Sequence, residues 1–255
     1  MNPNAYRQFL ELEKTHWWFR GRRSVYLGLL HHHLKGQRPR RVLDLGCGFG
    51  GFLDGLARDC KSVYPSDVSL ESMRTCRARG YPLSTVGSGY CLPYQDEAFD
   101  LVCMFDAIEH IPDDGRVMRE AARVLQPGGL CLVTVPAYQF LYANNDRVAQ
   151  HLRRYTRGRL RRLCLQAGLS VERNTHSNVF LFPLILPVVL GIKALELLLP
   201  EKSSDHTNLS WPIPRLVHDV LYGIFAAELP FSKRFDWPAG HSIAALARKP
   251  RTTPV

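Results

Sequence analysis

Residues 41–53 read RVLDLGCGFGGFL, a short apolar run that passes into four glycines and then into an amphipathic segment. This pattern predicts a buried strand, a tight turn, and a helix whose N-terminal amides face a ligand. The glycines at Gly46, Gly48 and Gly50 alternate, so with Asp44 they fit D-x-G-x-G-x-G better than G-x-G-x-x-G. By itself the turn indicates either a nucleotide-like ligand or an ordinary strand-to-helix connection.

Outward from this stretch, strand and helix signals alternate along the chain. Strands are predicted at 62–67, 81–86, 98–105, 130–135, 169–172 and 242–247, and helices at 2–36, 70–79, 117–125, 157–167 and 215–229. Ser69 and Thr156 are the expected N-caps of two of these helices. The alternation predicts an α/β fold with a doubly wound, mostly parallel seven-stranded sheet, Rossmann-like, with a helical apolar insertion before the last strand.

Ligands of such sheets bind at the carboxyl ends of the strands. Asp44, Asp67, Ser88 with Gly89, and Asp106 all follow predicted strands. The sequence therefore predicts that these positions converge on one site.

Four segments resemble motifs of the class I S-adenosylmethionine (SAM) dependent methyltransferases. They are 42–50, 66–69, 98–102 with 108–110, and 125–129. The resemblance implies SAM as cofactor, with Asp67 accepting both ribose hydroxyls and no metal required. The cofactor contacts it implies are at Asp44, Gly46, Cys47, Gly48, Asp67, Val68, Ser88, Gly89 and Asp106. Ser88 stands where the family usually has an acidic residue for the adenine amino group.

The length allows one domain with additions. We expect an N-terminal helical cap (1–40), the SAM-binding core (41–173), a helical apolar insertion or lid (174–240), and a last strand with its tail (241–255).

Seven cysteines without a C-x-x-C pair indicate free thiols in a reducing compartment and argue against structural zinc. The first residues lack the apolar run of a secretion signal. We therefore expect a cytoplasmic protein, with peripheral contact at the inner face of the membrane as an open alternative.

The insertion opens with fourteen uncharged residues, 179–192. Three interpretations remain open: a membrane span, a membrane-surface segment, and a buried helical lid. The net charge is +10, and eight arginines lie between Arg147 and Arg173. This basic block fits either an anionic surface or a solvated helix face.

The acceptor site is expected among residues that flank the core. The catalytic candidates are His110, His151 and Tyr155, and the substrate-binding candidates are His16, Trp17, Arg153 and Arg154. A histidine near the methyl group suits a general base, while a structural role for either histidine stays open. The aromatic cluster at 16–19 packs either in the core or over the cleft. Segments 13–20 and 151–156 are similar to those of a bacterial subgroup associated with cell-envelope glycan, lipid or natural-product pathways.

The sequence thus predicts SAM-dependent methyl transfer to O or N of a lipophilic or anionic acceptor, such as a lipid or lipid-linked saccharide. A small soluble sugar or natural-product hydroxyl is the alternative acceptor. Other classes are a catalytically inactive SAM-binding protein and a nucleic-acid-binding protein. The basic block argues against the last, because its only aromatic residue is Tyr155 and no recognised binding module accompanies it. Oligomeric state is left undetermined.

Overall fold

The computed structural model of the chain describes residues 12–198 and 213–251. In this part of the chain one sheet has the strand order β3-β2-β1-β4-β5-β7-β6. The strands are β1 (Arg41–Leu45), β2 (Ser62–Asp67), β3 (Thr85–Val86), β4 (Phe99–Phe105), β5 (Leu125–Pro136), β6 (Ser170–Ser177) and β7 (Ser242–Arg248). Only β7 runs antiparallel to its neighbours, β5 and β6. The doubly wound, mostly parallel sheet is confirmed.

Helices lie on both faces of the sheet. They are α1 (Trp17–Leu34), α2 (Leu53–Asp59), α3 (Leu70–Ala78), α4 (Asp114–Val124), α5 (Asn144–Val148), α6 (Arg157–Gln166), α7 (Phe182–Leu198), α8 (Arg215–Ala226) and α9 (Leu229–Ser232). Single 3₁₀ turns follow β4 at Ile108–His110 and β5 at Gln139–Leu141.

The central strand β4 shows why the sheet is buried on both faces. Leu101 and Cys103 point into the cluster formed with α1, α2 and α3. Val102 and Met104 point into the opposite cluster, formed with α4 and α6. Because successive side chains of a strand alternate between faces, a strand covered on both sides is a continuous apolar run, as in this sequence.

The two predicted N-caps are correct. Ser69 accepts a hydrogen bond from the amide of Ser72 at the start of α3, at 3.2 Å. Thr156 accepts one from the amide of Arg159 at the start of α6, also at 3.2 Å. Each cap satisfies an amide that lacks an intrahelical partner, which is why a short sequence signal predicts it.

The predicted helix at 2–36 and strand at 81–86 need correction. Helix α1 begins at Trp17, because His16 is extended and its Nδ1 caps the amide of Trp18, so residues 13–16 interrupt the predicted helix; residues 2–11 lie outside the described residues. The third strand shortens to Thr85–Val86. The hydroxyl of Tyr81 instead bonds Asp54 on α2, which draws this residue away from the sheet.

Two later strands are longer than predicted. β5 begins at Leu125 and so includes residues 126–129, which lay between the helix predicted at 117–125 and the strand predicted at 130–135. β6 continues to Ser177, because β7 pairs with it from Ser170 onward. The expected boundary at 173/174 therefore falls inside β6, and the insertion starts after Ser177.

The insertion packs on the N-terminal helix. The ring of Phe225 on α8 occupies the space where a Cβ of Gly21 would stand, so only glycine lets these two helices approach so closely. The predicted helix at 215–229 ends at Ala226, and α9 follows it. Of the helices in the described ranges, none combines the length and apolarity that crossing a bilayer requires.

Candidate functional site

A cavity of about 800 Å³ lies at the carboxyl ends of β1, β2 and β4, with α1 and α7 around its mouth. Asp44, Gly46, Cys47 and Gly48 line it after β1. Asp67 and Val68 line it after β2, and Asp106 after β4. The structure thus brings together most positions that the sequence placed at strand ends.

The glycine turn keeps the backbone close to this cavity. Gly46, Gly48 and Gly50 all have positive φ, a conformation that side chains disfavour. A Cβ at Gly46 would stand 2.6 Å from the Cβ of Ala107, whereas one at Gly48 would meet no described atom within 4 Å. Gly48 therefore leaves open the volume beside it, at the end of the cavity that we call the donor end.

Asp67 is fixed by the backbone at the donor end. Its Oδ2 accepts the amide of Gly48 at 2.9 Å, and its Oδ1 accepts the amide of Ser69 at 2.9 Å. Each carboxylate oxygen can accept further hydrogen bonds. A vicinal diol such as a ribose therefore fits against an oriented acceptor pair.

Asp44 supplies a second acceptor, buried beneath the turn. Its side chain is 1% exposed, and its Oδ1 has no hydrogen-bond partner in the described part of the chain. Burial raises the pKa of Asp44 well above its ordinary value, and Cys76 and Asp67 add to the shift. A cationic ligand such as the adenosyl sulfonium amino acid would offset that cost, so the residues of the donor end fit SAM.

Asp106 lines the cavity with both oxygens already engaged. The Thr134 hydroxyl donates to Oδ1 at 3.0 Å, and the Arg22 guanidinium pairs with Oδ2. Arg22 also lies over the ring of Trp18, 4.2 Å from its centroid. Arg22 was not predicted as a cavity residue, and Trp18 was predicted only within the aromatic cluster at 16–19, whose packing in the core or over the cleft was left open.

Of the residues predicted to contact the adenine part of the cofactor, only some line the cavity. Val68 and Gly89 line the cavity, together with Gly87. Ser88 lies outside the set of described residues that line it, and its hydroxyl instead accepts the amide of Tyr90 at 3.2 Å. The predicted contact of the Ser88 side chain with the cofactor is therefore corrected, because this hydroxyl stabilises the local turn at 88–90.

A second part of the cavity lining is a group of side chains that we call the polar wall: Glu109, His110, Asp146 and His151. Asp146 accepts a hydrogen bond from His151 Nδ1 at 2.7 Å and one from Arg154 Nε at 2.9 Å. Burial would raise the pKa of Asp146, but these partners outweigh burial and lower it to about 2. Burial lowers the pKa of His110 to about 3, so its imidazole is neutral at pH 7.

Glu109 is the unexpected member of this wall. The residue is 0% exposed, and within residues 12–198 and 213–251 neither carboxylate oxygen has a hydrogen-bond partner. Burial raises the pKa of Glu109 well above its ordinary value, and Asp106 adds to the shift. The sequence analysis quoted Glu109 in a motif without giving it a role. Its position next to His110, just after a buried strand, was the available signal.

Three predicted acceptor-site residues are committed to other partners. Tyr155 is fully buried, outside the described cavity lining, and donates to Asp114 Oδ2 at 2.8 Å, so its predicted catalytic role is corrected to a structural one. Arg153 also lies outside that lining and binds the carbonyl of Ile111 at 2.9 Å. Arg154 reaches the cavity, but Asp146 already pairs with its guanidinium.

Several arginines of the basic block between Arg147 and Arg173 form ion pairs within the fold. Arg153 and Arg159 pair with Asp114, and Arg173 pairs with Asp236. These internal ion pairs explain much of the arginine density without an external polyanion.

Of the two packing arrangements left open for the N-terminal aromatic segment, the structure places part of it at the cavity. His16 and Trp17 line it, as does Glu13, which the sequence analysis did not single out. Burial lowers the pKa of His16 to about 4, and the nearby His218 ring acts in the same direction. The ring of His16 is thus a neutral cap of α1 at the cavity wall.

The insertion closes the cavity with aliphatic side chains from α7, which we call the apolar wall: Leu184, Ile185, Val188, Val189 and Ile192. One cavity therefore carries two kinds of surface, polar at the strand ends and aliphatic beneath the insertion.

Comparison with known proteins shows which families the core is similar to. Residues 43–133 match the family described as "Methyltransferase domain". A "Probable S-adenosylmethionine-dependent methyltransferase" of Mycolicibacterium smegmatis is 33% identical over 63% of this chain and 62% of its own length. Phthiotriol/phenolphthiotriol dimycocerosates methyltransferase 1 of Mycobacterium ulcerans is 30% identical over 63% of the chain and 59% of its own length. The chain thus matches less than two thirds of these curated relatives.

A solved structure agrees with the fold. The N-methyltransferase NodS from Bradyrhizobium japonicum, in complex with S-adenosyl-L-homocysteine, superposes with a TM-score of 0.59. The superposition covers 97% of this chain and 98% of NodS at 13% identity. At that identity the likeness establishes the fold alone.

Proposed function

We propose that this chain transfers a methyl group from SAM to O or N of a lipophilic or anionic acceptor, because residues 43–133 match a methyltransferase domain and a SAM-dependent relative is 33% identical. The observation that carries the proposal is one cavity of about 800 Å³ that joins the glycine turn to both the polar wall and the apolar wall. Donor and acceptor would meet within it.

SAM would supply an electrophilic methyl group on its sulfonium. Asp67 accepts the ribose hydroxyls with oxygens already oriented by two backbone amides. Asp44 lies beneath the turn that follows β1, where a cationic methionine amino group is favoured beside a buried carboxylate. Gly48 leaves the space for the donor, so these three residues set its position and with it much of the rate.

The acceptor lies between the two walls. Its aliphatic part packs on α7, and its nucleophilic group faces His110 and His151, which remain our candidates for contact with it. Asp146 holds Nδ1 of His151, so Nε2 is the nitrogen that faces the acceptor. The name of the M. ulcerans relative gives phthiotriol and phenolphthiotriol dimycocerosates as its acceptors, which supports a bulky acceptor here.

Access of a lipophilic acceptor would come through the insertion. α7 and α8 expose large aliphatic side chains: Leu184, Val188, Leu190, Leu195, Leu216, Val217, Val220 and Ile224. Such a surface, on a chain of net charge +10, favours peripheral contact with an anionic membrane. The segments at 13–20 and 151–156 contribute Glu13, His16 and His151 to the same cavity, which supports a link to the envelope-associated subgroup.

Calorimetry with SAM and S-adenosylhomocysteine tests donor binding. We expect Asp67→Ala to weaken both ligands by about 1–3 kcal/mol, or about 5-fold to 150-fold, the range for losing a charge-assisted acceptor. Asp100→Ala is the matched control, because Asp100 also holds two backbone amides, those of Arg40 and Arg41, but at the opposite edge of the sheet. Equal affinity of wild type and Asp67→Ala would refute the assignment.

Vesicle flotation and label transfer test the acceptor class. We expect binding to anionic but not to neutral phosphatidylcholine vesicles, with loss in Leu216→Glu and Val220→Glu. Leu165→Glu, an exposed leucine on α6, is the control. Incorporation of labelled methyl into the organic phase of a membrane extract supports the lipophilic acceptor. Incorporation only into the aqueous phase favours the small soluble alternative.

A further inference from the structure

We propose that Glu109, His110 and His151 bind a divalent first-row transition-metal ion at the polar wall. Each residue offers one ligand atom, and the three atoms lie within 4.8 Å of one another. All three side chains line the cavity, so an ion held here would face the acceptor. The sequence analysis expected no metal; the inference departs from that expectation because the tertiary structure brings His151 next to the 109–110 pair.

The unpartnered carboxylate of Glu109 is the first observation that points to a missing ligand. The side chain is fully buried, and none of the described groups donates a hydrogen bond to either oxygen. A buried polar group without a partner destabilises the fold, and more so when it is charged. Such a group in a cavity wall is satisfied when a cation arrives between it and its neighbours.

The two histidines are already oriented as metal ligands are. Nδ1 of His151 hydrogen-bonds Asp146 at 2.7 Å, and Nδ1 of His110 lies 3.3 Å from the carbonyl oxygen of Gln150. With Nδ1 donating, Nε2 of each ring carries the free lone pair. A ligating histidine typically has its other nitrogen held by a carboxylate or carbonyl in this way.

The spacing between the groups leaves room for an ion. His151 Nε2 lies 4.0 Å from Glu109 Oε1, too far for a hydrogen bond. Metal–ligand bonds of about 2.0–2.2 Å are long enough for one ion between these two atoms to bind both. The ring centroids of His110 and His151 are 4.8 Å apart, and one nitrogen of each ring lies within 4.8 Å of the other two ligand atoms.

The ligand set selects the class of ion. Two imidazoles suit zinc, iron or cobalt better than magnesium or calcium, which prefer oxygen ligands throughout. Three protein ligands also leave positions open on the cavity side, as in metal sites that bind a reactant.

The catalytic use of the ion rests on the proposed methyl transfer. An acceptor hydroxyl bound at an open position loses its proton to bulk water, since a bound cation lowers its pKa. The new C–O bond then forms as the S–CH₃ bond of the sulfonium breaks, and S-adenosylhomocysteine leaves neutral at sulfur. Binding of the ion itself needs neither donor nor acceptor.

Co²⁺ titration tests the site in full-length protein without SAM. The background variant is His31→Ala/His32→Ala/His33→Ala, which removes the histidine run on α1. We expect calorimetry to give one Co²⁺ per chain, with visible absorption but no thiolate-to-cobalt band, which excludes the cysteines. Glu109→Gln and His110→Gln should each lower Co²⁺ affinity at least about 10-fold. Glu228→Gln, another buried carboxylate, should leave it unchanged.

Binding of S-adenosylhomocysteine, measured on every variant, reports folding and tests the proposed function separately. The metal inference is overturned if the background variant takes up no Co²⁺, if a thiolate band accompanies uptake, or if Glu109→Gln binds Co²⁺ like its parent. If Glu109→Gln does not fold, His110→Gln decides alone. If the wild-type protein binds Co²⁺ but does not bind S-adenosylhomocysteine, the proposed function is refuted and the metal inference is not affected.

Discussion

The sharpest test of the donor end is Gly48→Ala. At this position φ is +53°, and a new methyl group would meet no described atom within 4 Å, because the space beside it is the cavity. In the absence of ligand, the substitution should therefore lower the free energy of unfolding by about 1–2 kcal/mol, because alanine disfavours the left-handed conformation. For a chain of this size that corresponds to a fall in Tm of roughly 2–8 °C.

The methyl group would occupy volume that the donor needs. Overfilling a packed site costs about 1–3 kcal/mol, so we expect the affinity for S-adenosylhomocysteine to fall by about 5-fold to 150-fold. Gly168→Ala is the matched control: Gly168 has φ of +79° and equally open surroundings among described atoms, but it lies just past the end of α6. Gly168→Ala should lower the free energy of unfolding by a similar amount and leave the affinity for S-adenosylhomocysteine unchanged.

Calorimetry and thermal unfolding on the two variants and wild type decide the matter. Equal affinity of Gly48→Ala and Gly168→Ala for S-adenosylhomocysteine would refute our placement of the donor beside the glycine turn. Loss of affinity in both variants would show that global stability, and not the added methyl group, controls binding.

Three further outcomes are expected. Tyr155→Phe should lower the free energy of unfolding by about 1–2 kcal/mol, since it removes a buried hydrogen bond to Asp114, and leave affinity for S-adenosylhomocysteine intact; a weakened affinity would restore a role at the site. Burial raises the pKa of Glu228 to about 7, so stability present below pH 4.5 should fall by about 3 kcal/mol as the pH rises to 7. Urea unfolding of Glu228→Gln across this range should lack that decline. Gly21→Ala should cost about 1–3 kcal/mol by pushing on Phe225, and raise proteolysis of the insertion; an unaffected digestion pattern would contradict the docking of α8 on α1.

Local features were predicted well. The glycine turn and the caps at Ser69 and Thr156 depend on backbone angles and on amides within three residues, which a short window of sequence contains. Strand β4 was predicted because burial on both faces requires a run of apolar residues, which Leu101 to Phe105 supply.

Hydrogen bonds and ion pairs between residues that are distant in sequence were not predicted. Tyr155 and Arg153 have the side chains that catalysis or anion binding would use, yet Asp114, about 40 positions earlier, engages both. The partner of a polar side chain depends on packing and not on its neighbours in sequence. The same reason hid the free carboxylate of Glu109, since its lack of a partner is visible only in three dimensions.

The sequence by itself therefore determined the order of strands and helices and the sheet edge that carries the glycine turn, because alternating burial and turn geometry are encoded locally. Only the tertiary structure decided which side chains face the cavity and which pair within the fold. It placed His151 beside Glu109 and α7 in the wall of the same cavity, because long-range packing and the pairing of buried charges set those positions.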